Sequence, residues 1–446
     1  MASTRLTRSI TGSNAKKATL SFWVKRSKLG GSAYVLFTNR IDASNDTLVR
    51  FTSDLIDFKD YQSGSNAARL ETSQRFRDIG AWYHVVISID TTLGTADDRQ
   101  KMYINGEQIT SFQSRTNYAQ DTVLNINKTG TMEIGANNSA DYFDGLMSYF
   151  AFVDGAAYDP SYFGETDSSS GIWKIKTGPS VTYGTNGFFL KMDTSSPGTD
   201  TSGNTNTFTA SGTPTLAQDN ASNNLATFNP LDQPNISQLS VYTNGNTVAE
   251  GTDAGYVSGV STIAPSTGKY YTEFKIVTGY VDSYVGVIAT PVSLLGNTRN
   301  VDTGSSPYVN NIYSITPGGA KYSAGTGVGG FAGTFTNGDI IGIGLDCDNL
   351  RLYFSKNGQW TNGSGSYNSA TPSGYITLPS GQSWHFIGGD DTSSAYATWA
   401  ANFGNGFFGT TAVASSNADA AGHGLFEYAV PTGFFTLNTK NLNTYG

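Results

Sequence analysis

Charge, cysteine and histidine are all scarce in this chain, and each shortage removes a class of function. Only 14% of its 446 residues are Asp, Glu, Lys or Arg. The formal net charge of −8 and a sequence pI near 4.9 leave no extended basic surface for phosphates, which argues against a nucleic-acid partner. The single cysteine, Cys347, cannot form an intrachain disulfide and reads as a small core residue on an apolar strand face. His84, His385 and His423 lie far apart beside apolar or Gly-rich sequence, and no Cys/His metal cluster, nucleophile elbow or P-loop occurs. Gly325-Thr-Gly-Val-Gly-Gly330 fits a Gly-x-Gly-x-x-Gly pattern, but no helical stripe follows it, so it reads as a turn. No apolar run reaches about 18 residues, so neither a Sec-type leader nor membrane insertion is expected. A long 3.6-period stripe is missing too.

What is abundant points one way. Fifty-two glycines, dense Ser, Thr and Asn, and 13% aromatics suit an all-β protein with many turns and large packing units. The length exceeds one ordinary core, so two or three domains are expected. In the stretch 338–360, Ile341, Ile343, Leu345 and Cys347 share one face, and Asp346 and Asp348 take the other. Alternation resumes with Leu350, Leu352 and Phe354, and Asn357-Gly358 closes the next turn. Earlier, residues 18–26 alternate and Trp82 to Asp90 form a near-continuous apolar strand of the kind found inside a sandwich. Asn105-Gly106 marks a hairpin over 101–109, strands follow at 132–135 and 143–152, and Asp159-Pro160 opens a short helix. The first 41 residues hold eight basic side chains and no acid, which suits either an electropositive docking arm or a basic edge strand.

The words SFWVKRS (21–27), WYHVVISID (82–90), MYINGEQI (102–109) and FDGLMSYFAFVDGAAYDPSYF (143–163) together resemble a laminin-G-like or concanavalin-A-like lectin domain. GTDTSGNTNTFT (198–209) is similar to the segment that usually opens such a domain, but stands here at its far end, so a strand at 188–192 is expected to complete the first sandwich. Residues 268–277, 285–290 and 338–360 resemble, in order, strands of a SPRY domain, a β-sandwich that binds partners through loops. With WAANFGNGFF (399–408) and FEYAVPTGFFTLNTKNL (426–442), the whole resembles structural proteins of tailed bacteriophages, especially marine ones. The expected architecture is two antiparallel β-sandwich domains of jelly-roll, concanavalin-like form in tandem: a lectin sandwich over 1–192, a Ser/Thr/Gly/Asn-rich connector over 193–234, and a SPRY-like sandwich over 235–446.

The resemblance implies a non-enzymatic virion structural protein, made in the host cytoplasm and carried on the phage particle. It would be a tail-fibre or appendage component reading host-surface glycans through sandwich loops. The alternative is a capsid decoration or head-fibre protein anchored on the shell and displaying its second domain. Absent heptads favour decoration; the lectin-like domain favours adhesion. The concanavalin-like fold also invites a glucanase, which needs two carboxylates about 5 Å apart. Of seven glutamates only Glu165 has an aspartate two residues on, and Ser168, Ser169 and Ser170 then break that fold's catalytic word. Sugar binding calls for aromatic faces and fixed polar groups in loops, and the candidates are Tyr142, Asp282, Tyr284, Trp360, Asp390, Asp391 and Tyr396. Asn137, Asp141 and Asp144 are the candidate calcium ligands. Expected partners are other virion proteins and host-surface polysaccharide, engaged by multivalent or homo-oligomeric display.

Overall fold

The computed structural model describes residues 4–31, 33–168, 171–193, 195–232, 240–251, 258–290, 311–390 and 397–446. The chain is all-β and divides into two compact units, one holding residues 1–216 and 220–222, the other 217–219 and 223–446.

The first unit is a sandwich of an eight-stranded and a six-stranded antiparallel sheet. The larger runs, in spatial order, Phe112–Thr116, Ser65–Thr72, Leu55–Gln62, Asn45–Thr52, Tyr34–Asp42, Gly130–Ile134, Arg5–Ile10 and Thr209–Ser211. The smaller runs Phe188–Leu190, Gly145–Asp154, Lys17–Arg26, Trp82–Asp90, Gln100–Ile104 and Glu107–Gln108. Period-two burial sends Leu20, Phe22 and Val24 inward against Val49, Phe51, Ile56 and Phe58 of the opposite sheet. Phe22 and Phe150 stack at 4.8 Å, a geometry that adds about 0.5–1.5 kcal/mol beyond area burial. Asn105 (φ 50°) and Gly106 (φ 86°) make the expected left-handed hairpin turn. Asp159 caps the turn Pro160–Tyr162, which is 3-10 rather than α, by accepting from the Ser161 amide.

The basic N-terminal stretch is neither a free arm nor a sheet edge. Arg5–Ile10 lies between Gly130–Ile134 and Thr209–Ser211, Arg5 pairs with Glu133, and Lys17 pairs with Asp90. Phe188–Leu190 pairs with Gly145–Asp154 and so adds the expected closing strand.

The outer face of the six-stranded sheet carries a third layer. Phe163 and Phe189 pack with Val86, Ala151 and Val153, joined by Tyr158 and Tyr183. The hairpin of Gly164–Thr166 and Trp173–Ile175 brings Ile175 and Trp173 against Trp23 and Trp82.

The second unit repeats the plan. Its larger sheet runs Ser240–Thr243, Val248–Gly251, Thr398–Asn402, Lys269–Thr278, Ile340–Asp346, Arg351–Lys356, Gln359–Thr361 and Tyr367–Ser369, with Tyr375–Thr377 and Phe435–Thr436 attached beside it. The smaller runs Ser258–Val260, Trp384–Asp390, Ser283–Ala289, Ile312–Ile315, Lys321–Ser323 and Thr326–Val328. Ile341, Ile343, Leu345 and Cys347 enter the core with Leu352 and Phe354, as the alternation requires. In this unit it is the larger sheet that is covered outside, because Phe426 and Phe434 pack on Tyr271, Tyr353 and Trp360.

Buried polar groups tie that cover down. Glu273 is fully buried and accepts from the Glu427 and Tyr428 amides, the Tyr271 hydroxyl and Asn402 Nδ2. Asp419 accepts from the amides of Ala421, His423 and Thr436 and from Asn441 Nδ2. Each buried acceptor is thus matched by main-chain donors that would otherwise be stranded.

Residues 193–234, expected as a connector, contribute to both units. Phe208 enters the first core and Thr209–Ser211 extends its larger sheet; Phe228 packs among Tyr242, Phe274 and Phe403 in the second. A Ser/Thr/Asn-rich composition hid these anchors because each is a lone aromatic among turn residues.

Candidate functional site

Strand register gathers one set of loops at one end of the first sandwich. Arg26 lies opposite Gly145, Lys25 opposite Trp82, Tyr34 opposite Phe51, and Ile134 opposite both Leu6 and Phe37. The segments 27–31, 53–54, 73–81 and 135–144 therefore meet there.

At the base of this end Arg26 is buried, with its guanidinium 4.3 Å from the centre of the Phe51 ring. It pairs with Asp54 at 3.1 Å and donates to the Phe76 carbonyl. Asp54 in turn accepts from the Gly30 amide and pairs with Arg77 at 2.9 Å. Burial works against the Asp54 carboxylate, but the Gly30 amide and the two guanidiniums outweigh it and hold its pKa below the usual carboxylate range. One carboxylate thus ties three loops together. The fourth is held by Lys28, 3.0 Å from Asp144, and by the Ser27 amide donating to the Asp144 carbonyl.

Three sequence-predicted ligands and Tyr142 sit in that fourth loop. Asn138, Ser139 and Asp141 all have φ between 50° and 61°, strain of about 1 kcal/mol or more each that persists because Asn137 and Ala140 bond reciprocally. Asp141 is exposed and Tyr142 is half-buried, its hydroxyl accepting from Arg5. The Asn137 side-chain oxygen is buried without a hydrogen-bond partner, the donor a bound cation would use. Calcium takes about six to eight oxygens, however, and Asp144 already faces Lys28. No group of three His, Cys, Asp or Glu suited to a metal occurs among the described residues.

The remaining candidates disperse. Asp282 and Asp390 reach one end of the second sandwich, since Ser283 pairs with Asp390, but Asp390 is buried and accepts from the Ala397 amide. Tyr284 is fully buried with Val260 and Ile288, and Trp360 is 4% exposed beneath the C-terminal cover, so neither ring offers a face to a sugar. Both point away from the sandwich core; Trp360 is covered by Phe426 and Phe434, and Tyr284 is buried in an apolar cluster on the outer face of the smaller sheet. Asp391 and Tyr396 lie outside the described residues.

Catalytic arrangements fare no better. His84 stacks between Trp23 and Trp173, at 4.7 and 6.0 Å, and burial pushes its pKa down to about 3. Trp173 Nε1–H donates to His84 Nδ1, which leaves Nε2 as the protonated nitrogen, donating to Ser21 Oγ at 2.8 Å. That imidazole cannot take a proton from Ser21, so the pair is no nucleophile and base. Glu165 and Asp167 share Lys174 on the surface.

Residues 3–160 match a family model described as the concanavalin A-like lectin/glucanases superfamily. No curated protein sequence matches the chain. Similar solved structures include the SPRY domain of human HERC1, at 19% identity over 39% of this chain and 96% of that one, with a TM-score of 0.30. A heptameric SAP-like pentraxin from Limulus polyphemus is similar at 16% identity over 35% of this chain and 70% of that one, TM-score 0.26. The TRIM65 PSpry domain is similar at 13% identity over 40% and 88%, TM-score 0.28. The first sandwich is thus similar to the concanavalin A-like lectins and glucanases, a superfamily whose fold suits carbohydrate or other ligand binding.

Proposed function

We propose that the protein is a non-enzymatic, glycan-recognising structural protein of a phage particle, a tail-fibre or appendage component that reads host-surface polysaccharide through the loop end of its first sandwich. The observation that carries this reading is the third layer. Side chains from 156–163 and 173–183 fill the outer face of the six-stranded sheet, so that face offers no open cleft, while the cross-tied loops at 27–31, 53–54, 73–81 and 135–144 stand clear. A loop site of this kind binds at around millimolar, roughly 4 kcal/mol, and multivalent display supplies the rest. Calcium at Asn137, Asp141 and Asp144 belongs to this proposal as an accessory that displaces Lys28.

A glycan array probed with the full chain displayed multivalently tests it: host-envelope polysaccharides are expected to bind, with loss on replacing Asp141 and Tyr142 by Ala. Absence of binding to every envelope glycan would refute the adhesin. The decoration-protein reading is favoured by one observation, that the sole α-helix among the described residues is Thr439–Tyr445, too short for a coiled coil. Particle imaging separates tail from shell.

A further inference from the structure

The loop 73–81 contains the word Ser73-Gln-Arg-Phe-Arg-Asp-Ile-Gly80, and its geometry follows from two apolar anchors. Phe76 is fully buried, edge-on to Tyr83 at 5.3 Å, and Ile79 is 2% exposed. With Phe76 pinned inward, the residues on either side turn to solvent: Arg75 is exposed and the Arg77 side chain is 59% exposed. The anchoring is doubled by Arg26, which donates to the Phe76 carbonyl, and by the Phe76 amide, which donates to the Asp54 carbonyl. Neither exposed arginine is used up. Arg75 donates through Nη1 to the Ser53 carbonyl at 2.7 Å, and Arg77 reaches Asp54 through Nε. The other guanidinium N–H groups of both face water.

The charge balance here runs against that of the chain. Asp54 serves two guanidiniums at once, Arg26 and Arg77, and Arg75 has no acidic partner among the described residues. Asp78 is the one acid within the loop, and one of its oxygens caps the Gly80 amide. On a chain of net charge −8 this leaves a local cationic surplus on a rigid platform. Arginine's planar fork matches carboxylate and sulfate groups with paired hydrogen bonds, and prior fixation of the loop lowers the ordering cost.

We propose that Arg75 and Arg77 form an anion-reading patch for the carboxylate or sulfate groups of an acidic polysaccharide. The proposal rests on the glycan-recognition reading and names the ligand class within it. The test measures binding of the full chain to immobilised polygalacturonate, dextran sulfate and neutral dextran, with vesicles of phosphatidylglycerol and phosphatidylcholine as a further arm. Arg75→Gln and the Arg75→Gln/Arg77→Gln double variant are compared with the parent protein. Acidic polymer is expected to bind and neutral dextran not, with severalfold weakening in Arg75→Gln at an unchanged thermal midpoint, about tenfold weakening in the double variant, and steep loss with added salt. Polygalacturonate against dextran sulfate distinguishes carboxylate from sulfate. Binding only to the anionic vesicles, or equal binding by parent and variants, overturns the patch. If neutral glycans bind and the variants change nothing, the patch falls while glycan recognition stands; if no polysaccharide binds at all, both fall. Should the double variant fail to fold, Arg75→Gln decides, because its one bond is to a surface carbonyl.

Discussion

Acid should loosen the first sandwich through a single buried imidazole. His84 is fully buried between Trp23 and Trp173 with both ring nitrogens engaged, and burial lowers its pKa to about 3 against an ordinary value of about 6.5. The unfolded chain therefore binds a proton at His84 that the folded chain refuses between those two values. Stability from this group is fully present above about pH 6.5 and is lost as pH falls toward about 3. At roughly 1.36 kcal/mol per pH unit, the loss is about 2 kcal/mol at about pH 5 and about 3 kcal/mol at about pH 4. His84→Gln isolates the effect, since an amide can still donate to Ser21 and accept from Trp173 without titrating. Hydrogen exchange of the amides in Lys17–Arg26 and Trp82–Asp90, followed from about pH 7 to about pH 4 with correction for intrinsic rates, reads the opening free energy of those strands. The parent protein should lose protection relative to His84→Gln by the amounts above. Parallel pH profiles in the two proteins would refute the argument, as would a histidine resonance assigned to His84 that titrates near 6.5.

Above about pH 7 replacing Glu273 by Gln should cost about 3 kcal/mol, because an amide turns a donor toward donors at Glu427, Tyr428, Tyr271 or Asn402, and the cost should shrink at lower pH, where the protonated carboxyl carries a donor too; urea unfolding and faster proteolysis within 404–436 are the readouts. Burial pushes the Glu273 carboxyl up to about 7 against those four hydrogen bonds, so its contribution to stability is fully present below about pH 4.5 and declines as pH rises through about 7. Gly164→Ala should cost about 1–3 kcal/mol, since a Cβ there would sit 2.5 Å from the Trp173 ring; the check is a lower thermal midpoint together with a rise in the His84 pKa as the hairpin lifts.

The two-layer plan was legible in the sequence because the residues that make it repeat every second position. The hairpin at Asn105-Gly106 and the strand pair ending at Asn357-Gly358 were readable to the residue, each from alternation meeting a left-handed turn. The four-strand meander from Tyr34 to Thr72 is obscured in the sequence although Val49, Phe51, Ile56, Phe58 and Leu70 keep the same rhythm. Its intervening positions hold Arg50, Asp57, Arg69 and Glu71, and these charges broke up the apolar runs. In the folded sheet Asp57 is fully buried between Arg50 and Arg69 of the neighbouring strands, and Glu71 pairs with Arg69 along their own strand.

Alternation assigns a side chain to one of two faces, and it is silent on whether a third layer covers the outer one. That silence bears on two candidate ligands: Tyr284 and Trp360 do point away from the sandwich core, but both are buried, Trp360 under Phe426 and Phe434 and Tyr284 in an apolar cluster on its sheet's outer face. A usable signal was present in the strand Trp82 to Asp90. Burial alternates along a strand such as Gln100–Ile104, whereas Trp82, Tyr83, His84, Val85 and Val86 supply apolar or aromatic groups to both faces. Such a strand demands cover on each side, and the aromatic-rich tract from Tyr158 to Tyr183 is the part of the chain left to provide it. With that tract spent on the sheet, Phe76 is the buried aromatic of its loop while Arg75 and Arg77 beside it stay exposed. The same burial requirement that seals the sheet face thus fixes which charged side chains remain at the surface, and the proposed glycan patch is drawn from those.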